Sequence, residues 1–236
     1  MSNENTRILM ISDMHAPYEH PDTMPFLYAC KEKYRPTRAI CVGDEVDKHA
    51  MSFHDSDPDL PSAGNELDLA ILALMPLYEM FPEMDLVSSN HGSMAFRKAK
   101  AHGIPRRYMR DYGEVLEAPV GWRWHDSLLV ELPTGQDMYV VHGLRKNGIQ
   151  LAQQQGCCTV QGHYHTEFNI AYSSSPRQLL WSMQVGCSVD DRSLAMHYNK
   201  TTAMRPILGH GIVIEGIPKL LPMVLGLDGK WTGAVP

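Results

Sequence analysis

The first half of the chain alternates short apolar runs with stretches of helical periodicity. Three apolar runs predict buried strands, at 7–12, 39–42 and 84–88. Four stretches predict helices, at 22–34, 65–81, 93–101 and 106–116. In the most regular of these, 65–81, apolar residues such as Leu67, Leu74 and Leu77 recur at the spacing of one helix face.

The second half is richer in predicted strands. Strands are expected at 128–132, 138–141, 157–161, 168–172 and 179–185, with one helix at 147–155 and a closing hairpin at 211–215 and 219–225. Strands that alternate with helices and then dominate predict an α/β fold of two packed sheets with helices outside. No linker-like segment interrupts the pattern, so residues 1–236 are expected to form a single domain.

Composition narrows the class of protein. Hydrophobic residues make up 44% of the chain and the formal net charge is -6, so the whole surface is not suited to a polyanion. No apolar run reaches the length of a membrane span, and the N-terminus lacks the features of a signal peptide. The five cysteines include no CxxC pair, which favours reduced thiols and a cytoplasmic location.

Polar side chains follow five of the predicted strands, at the point where each strand ends. They are Asp13 and His15, then Asp44, then Asn90 and His91, then His142, and finally His163 and His165. Taken singly, each is ordinary: an acid or amide after a strand is usually a turn residue, and a lone histidine says little. Together they are expected to converge, because ligand sites of layered α/β folds gather at the carboxyl ends of strands.

These residue types indicate a metal site. Without His91, they comprise two carboxylates, one carboxamide and four imidazoles, with no thiolate. Mixed oxygen and nitrogen donors suit Mn²⁺, Fe or Zn²⁺ better than the all-oxygen sites of Mg²⁺ and Ca²⁺. Seven ligands exceed what one catalytic ion can use, but they suffice for two ions if one carboxylate bridges them. Such ion pairs are typical of phosphoryl-transfer centres.

The ordered motifs resemble those of the calcineurin-like metallophosphoesterases, whose pattern is D-x-H, G-D, G-N-H-[DE], a lone H and G-H-x-H. Here the pattern begins at Asp13-Met14-His15 and continues through Gly43-Asp44, Ser89-Asn90-His91-Gly92, His142 and Gly162-His163-Tyr164-His165. The resemblance implies a two-sheet α/β/β/α sandwich. It also implies a hydrolase that uses two divalent ions, Mn²⁺ first, with Fe, Zn²⁺, Ni²⁺ and Co²⁺ as alternatives.

The resemblance assigns a role to each motif residue. One ion would be held by Asp13, His15 and His165, the other by Asn90, His142 and His163, with Asp44 bridging both. His91 would face the scissile phosphate and protonate the leaving oxygen or stabilise the transition state. The nucleophile of the family is a hydroxide activated by both ions, so no nucleophilic side chain is needed.

The chain departs from the family pattern at two positions of the third motif. Ser89 replaces the glycine, and Gly92 replaces the acid that often orients the histidine, so Asp55 or Asp57 is expected to substitute. The stretch GDEVDKH resembles GDxxDRG of the protein-phosphatase branch, but its last two residues differ. Residues 52–64 are similar to small phage-encoded members of the family.

A basic run follows the third motif and bears on the substrate. Residues 93–110 carry six basic residues and no acid: Arg97, Lys98, Lys100, Arg106, Arg107 and Arg110. Arg97, Lys98, Arg106 and Arg107 are therefore candidate contacts to a phosphodiester such as DNA or RNA. A solvated helix face or a partner contact would explain the run equally well. A phosphomonoesterase and a non-catalytic scaffold with the same fold remain alternatives.

Overall fold

The computed structural model describes residues 5–52, 57–195 and 204–236. The first sheet has the order β11-β10-β1-β2-β3-β4. Its strands are β1 (Arg7–Ile11), β2 (Arg38–Cys41), β3 (Glu83–Val87), β4 (Gly121–His125), β10 (Gly209–Ile214) and β11 (Ile217–Pro222). β1 to β4 run parallel, and β10 and β11 form an antiparallel hairpin beside β1.

The second sheet has the order β5-β6-β7-β9-β8. Its strands are β5 (Leu128–Glu131), β6 (Asp137–Val141), β7 (Cys158–Gln161), β8 (Phe168–Ser174) and β9 (Leu179–Val185). β6, β7 and β9 are parallel, while β5 and β8 pair antiparallel at the two edges. The predicted strands and the closing hairpin of the second half are thus present.

Helices cover the outer faces of the two sheets. They are α1 (Thr23–Tyr34), α2 (Ala63–Met80), α3 (Met94–Ala101), α4 (Tyr112–Val115) and α5 (Gly148–Gln155). α5 packs on β7, β8 and β9 of the second sheet. Phe26 of α1 and Leu74 of α2 are fully buried against the first sheet. Among the described residues, none of the helices has the length and apolar character needed to cross a membrane.

Two apolar cores follow from the alternation of side chains along β1. Leu9 and Ile11 pack in the cluster under α1 and α2, whereas Ile8 and Met10 face the second sheet. Because successive side chains of a strand point to opposite faces, one strand contributes to both cores. The result is the predicted α/β/β/α sandwich.

Two predictions of secondary structure were wrong. The stretch 106–116 is not one helix: a short 3-10 turn at Arg106–Tyr108 is followed by extended backbone at Met109, and α4 starts afresh after Asp111, whose side chain accepts from Gly113 N–H. β4 was not predicted, because its sequence GWRWH mixes aromatic and basic residues on a partly exposed edge.

Candidate metal centre

All eight predicted site residues lie at one end of the sandwich. β1, β2 and β3 of the first sheet deliver Asp13, His15, Asp44, Asn90 and His91, while β6 and β7 of the second sheet deliver His142, His163 and His165. The two sheets present their carboxyl ends side by side here, so the five loops meet although their residues are up to 152 positions apart.

One group of potential ligands consists of Asp13, His15, Asp44 and His165, whose donor atoms all lie within 4.8 Å of one another. His165 Nε2 is 3.2 Å from Asp13 Oδ1 and 3.2 Å from His15 Nε2. His15 Nε2 is 3.5 Å from Asp44 Oδ2. Three of the four residues are almost fully buried, and His165 is partly exposed.

A second group consists of Asp44, His142 and His163, with Asn90 beside them. His142 Nε2 is 3.1 Å from Asp44 Oδ2, 2.7 Å from Asn90 Oδ1 and 3.2 Å from His163 Nδ1. Asp44 belongs to both groups and lies between them, which is the position that a bridging carboxylate requires.

The outer ring nitrogens of two histidines fix which nitrogen faces the centre. His142 Nδ1–H donates to the Val42 carbonyl at 2.9 Å, and His15 Nδ1–H donates to Asp47 Oδ2 at 2.8 Å. In the neutral tautomer each Nε2 then carries a lone pair that points into the centre. Lone pairs of His142 Nε2, Asn90 Oδ1 and an Asp44 oxygen then converge, and a bound cation in place of a proton on Nε2 would satisfy all three.

The buried carboxylates favour positive charge on the histidines of the candidate centre. Burial lowers the pKa of His15, but its hydrogen bond to Asp47 and the charges of Asp44 and Asp13 outweigh burial and raise the pKa to about 9. Burial likewise opposes the charge on His142, yet Asp44 raises its pKa to about 9. The donor set and its charge fit divalent ions that accept both oxygen and imidazole ligands.

The loops hold these residues in uncommon backbone conformations. Asp13, His15, Asp44 and His163 have φ of 45°, 53°, 50° and 68°, in the left-handed region that residues other than glycine rarely adopt. Such strain costs about 1–3 kcal/mol per residue and persists only where the surroundings impose it. Its concentration in four candidate ligands is characteristic of a functional site.

Gly162 is required by close packing against Asp13. A Cβ at this position would overlap the Asp13 carboxylate and the Ser12 hydroxyl, which itself donates to Asp13 Oδ2. The backbone N–H of His163 then donates to Asp13 Oδ1 at 3.0 Å. The glycine of the fifth motif thus allows β7 to approach β1 closely enough for His163 and His165 to reach the centre.

His91 is oriented by the loop that follows Asp44. Its Nδ1–H donates to the main-chain carbonyl of Asp47, its backbone N–H donates to Asp44 Oδ1 at 3.2 Å, and its ring lies edge-on to His15. Burial lowers the pKa of His91. Asp55 or Asp57 was expected to orient His91. The Asp47 carbonyl has this role instead of Asp57, and Asp55 lies outside the described residues.

Asp47 is the residue that sequence reasoning missed. Its carboxylate binds His15 and its carbonyl binds His91, so one residue positions two imidazoles. The available signal was the second aspartate of GDEVD, three positions after Asp44. Ser12, which donates to Asp13, has no comparable signal, since a serine at the end of a strand is common.

The basic run lies next to the centre without entering it. Arg97 donates to the Asn90 carbonyl at 3.2 Å, and Lys98 donates to the Ser52 carbonyl at 3.2 Å. Arg106 lies over the Phe96 ring, 5.6 Å from its centroid, and Arg107 is exposed. These contacts place Arg97 and Lys98 against the loops of the centre and leave Arg106 and Arg107 on the surface.

Comparison with known proteins supports the fold. No protein-family model and no curated protein sequence matches this chain. Vacuolar Protein Sorting 29 from Cryptosporidium parvum is 12% identical over 99% of this chain and 98% of its own, with a TM-score of 0.52. Vps29 from Chaetomium thermophilum is 12% identical over 98% of this chain and 94% of its own, with a TM-score of 0.51. The chain therefore has the fold of the calcineurin-like metallophosphoesterases.

Proposed function

We propose that this protein is a single-domain, two-metal phosphoester hydrolase. The observation that carries the proposal is the convergence of imidazole nitrogen and carboxylate oxygen atoms into two groups that share Asp44. One ion would be bound by Asp13, His15 and His165, the other by Asn90, His142 and His163, with Asp44 bound to both. Mn²⁺ is the first candidate for both sites, followed by Fe, Zn²⁺, Ni²⁺ and Co²⁺.

When bound, two divalent ions lower the pKa of a water molecule and neutralise charge on the phosphoryl group. The remaining work falls to the side chains of this chain. His91 would donate a proton to the leaving oxygen or a hydrogen bond to the phosphoryl oxygens, and the Asp47 carbonyl holds its ring in place. Asp47 also accepts a hydrogen bond from His15. The positions of the candidate ligand His15 and the candidate proton donor His91 are therefore fixed relative to each other.

The fold alone does not indicate hydrolysis, because the two similar chains are named for protein sorting. The alternative is therefore a binding or scaffold protein. What favours an enzyme is the completeness of the site. All seven candidate ligands are present and converge, four of them in strained backbone, and a histidine stands beside them.

A phosphodiester, with DNA or RNA as candidates, is the proposed substrate class. Its support is the basic run, which reaches the centre at Arg97 and extends over the surface to Arg106 and Arg107. The second candidate is a phosphomonoester of a protein or small molecule, which the same two-metal chemistry would also hydrolyse.

The test begins with metal content and only then turns to activity. Purified protein should bind about two equivalents of Mn²⁺, measured by elemental analysis, and should hydrolyse bis-p-nitrophenyl phosphate faster than p-nitrophenyl phosphate. Preference for the monoester would support the second candidate. Normal metal binding without hydrolysis of either ester would favour the scaffold.

The substitution Asp44→Asn tests the bridge. Because outer-shell partners alone change metal affinity by about 10–100-fold, loss of the shared ligand should weaken at least one site by that factor or more. Activity should fall by a similar or larger factor while the circular dichroism spectrum is unchanged. A variant that retains two equivalents of Mn²⁺ and full turnover would show that Asp44 is not the bridge.

A further inference from the structure

The loop that follows β2 contains a buried lysine, Lys48. Only 8% of this residue is exposed, although lysine is among the residue types that are least often buried. Burial lowers the pKa of Lys48 to about 8 and outweighs the charges of Glu45 and Asp44, which favour the ammonium form. A lysine in such a place needs specific partners, and its partners lie in and beside the loop that carries His91.

Two contacts hold the ammonium group of Lys48. Its Nζ donates to the Gly92 carbonyl at 2.7 Å and lies 4.1 Å from the centroid of the Tyr112 ring. Gly92 directly follows His91 in the sequence. Lys48 therefore fixes the main chain next to the histidine that stands beside the candidate metal ligands.

The hydrogen bond from Lys48 is one of a pair between the two loops. His91 Nδ1–H donates to the main-chain carbonyl of Asp47, and Lys48 Nζ donates to the Gly92 carbonyl. Consecutive residues of one loop thus bind consecutive residues of the other, and each loop supplies one donor. A single bond would let the His91 ring move with its own backbone, whereas the pair fixes the backbone as well as the ring.

The backbone of Lys48 is itself fixed from α2. Lys48 has φ of 62° and ψ of 38°, a left-handed conformation that persists in a residue with a side chain only where the surroundings impose it. It precedes the turn His49–Met51, whose first two backbone N–H groups donate to the buried Glu66 carboxylate at 2.6 and 2.9 Å. The bond to Gly92 therefore starts from a rigid base.

Gly92 contributes to the orientation of His91 only through its main chain, since it has no side chain. It stands where the calcineurin-like pattern has an acid, and its N–H donates to Ser89 Oγ at 3.0 Å. A Cβ at this position would also lie 3.0 Å from Ser89 Oγ, so the loop is closely packed here. The carbonyl that Lys48 binds is thus a point at which another loop can control the place of His91.

We propose that Lys48 is a positioning residue for His91: its hydrogen bond to Gly92 keeps the loop of the third motif where the Asp47 carbonyl can hold the His91 ring. Lys48 acts through the main chain and does not touch the reacting groups. The consequence for catalysis rests on the proposed function, in which His91 donates a proton. The effect on the His91 ring does not depend on any activity.

Lys48→Met tests the proposal, because it keeps the length of the side chain and removes the ammonium group. In NMR spectra of the metal-free full chain, the His91 ring N–H is identified by its loss in His91→Ala. This N–H should exchange slowly with solvent in the wild type. In Lys48→Met it should exchange at least about tenfold faster, because the loop can then open without breaking the bond to Gly92.

Lys31→Met is the matched control. Lys31 makes the same two kinds of contact, since its Nζ donates to the Met80 carbonyl at 2.7 Å and lies 5.3 Å from the centroid of the Phe81 ring. These contacts lie at the start of β3, whereas the candidate centre lies at its end. Exchange of the His91 N–H in Lys31→Met should equal that of the wild type.

Hydrolysis in the presence of Mn²⁺ gives a second readout. For methyl phenyl phosphate, kcat of Lys48→Met should fall by about tenfold or more, a part of the contribution of positioned proton transfer, while KM and metal content stay unchanged. For methyl p-nitrophenyl phosphate the fall should be smaller, because that leaving group needs no proton. A merely structural defect would lower both rates equally.

Slow exchange of the His91 N–H in folded Lys48→Met would overturn the proposal. Rapid exchange in the wild type would do the same, and that measurement needs no folded variant. An equal fall in kcat for the two esters would also contradict it. Wild-type protein that hydrolyses neither ester would contradict the proposed function instead, and the exchange measurement would still decide whether Lys48 positions His91.

Discussion

At the scale of single residues, the candidate centre depends on side chains that hold other side chains. Asp47 binds His15 through its carboxylate and His91 through its carbonyl. Ser12 and the His163 backbone N–H both donate to Asp13. Such partners fix the direction of each donor atom, which is why they influence metal affinity almost as strongly as the ligands do.

His91→Ala separates a proton donor from a metal ligand. The variant should keep two equivalents of Mn²⁺ but lose about 10²–10⁴-fold in rate, the usual contribution of positioned proton transfer. The loss should be smaller for p-nitrophenyl esters, whose leaving group needs no proton. His102→Ala, which removes an exposed histidine after α3, should behave as wild type. Loss of metal from His91→Ala would place this residue in the coordination shell.

Gly162→Ala tests the close approach of β7 to β1. A methyl group there overlaps the Asp13 carboxylate, so Asp13 must move and Mn²⁺ affinity should fall by about tenfold or more. Gly64→Ala is the matched control, because an added Cβ at Gly64 meets nothing within 4 Å and a helical alanine is favourable. Equal metal affinity in the two variants would contradict the packing argument.

At the scale of elements, one carboxylate joins three strands of the first sheet. Asp85 of β3 accepts from Arg38 of β2 at 2.7 Å, and from Arg123 and His125 of β4 at 3.3 and 2.9 Å. Burial raises the pKa of Asp85, but these hydrogen bonds, that of Arg38 first, outweigh it and hold the pKa below its ordinary value of 3.8. Asp85 thus links the edge strand β4 to β3 and β2 through side-chain hydrogen bonds.

Asp85→Asn should lower the free energy of unfolding by about 1–3 kcal/mol at neutral pH, since hydrogen bonds to charged groups are lost. A carboxyl whose pKa is lowered in the folded state stabilises above its unfolded pKa. The difference in the free energy of unfolding between wild type and variant should therefore reach its full value above about pH 5. It should shrink as the pH falls through 3.8 and below. Urea titrations at several pH values measure it, and Asp68→Asn on the exposed face of α2 is the control.

Elements with a clear apolar pattern were predictable from the sequence, and elements defined by tertiary contact were not. The buried strands β1 and β2 have continuous apolar cores, whereas β4 is recognisable only once β3 and Asp85 are beside it. The convergence of the candidate ligands followed from their positions at strand ends. The role of Asp47 could not be predicted in this way, because it depends on side-chain directions within a loop.

At the scale of the whole molecule, charge is distributed unevenly. The net charge is -6, yet 93–110 has no acid, so a polyanion would approach this region and avoid most other surfaces. Arg97 and Lys98 bond to main-chain carbonyls, and their loss would also disturb the loops. Lys100 and Arg107 are exposed and offer a cleaner test.

The double substitution Lys100→Gln/Arg107→Gln should weaken binding of single-stranded DNA or RNA and reduce the slope of log K against log salt by about 0.7 per lost contact. Hydrolysis of bis-p-nitrophenyl phosphate should not change. Arg35→Gln/Arg177→Gln, which removes the same charge from exposed positions elsewhere, is the control. An identical salt slope in both double variants would remove the support for a nucleic-acid substrate.

Because both sheets contribute ligands to the candidate centre, metal binding is coupled to folding. Each group of ligands takes residues from both sheets, so neither sheet alone can form a complete chelate. Tight metal uptake must then follow sheet docking, and a bound ion opposes their separation by about 2.7 kcal/mol at a hundredfold excess over its dissociation constant. Removal of divalent ions should thereby lower the free energy of unfolding of a chain that binds them at this centre.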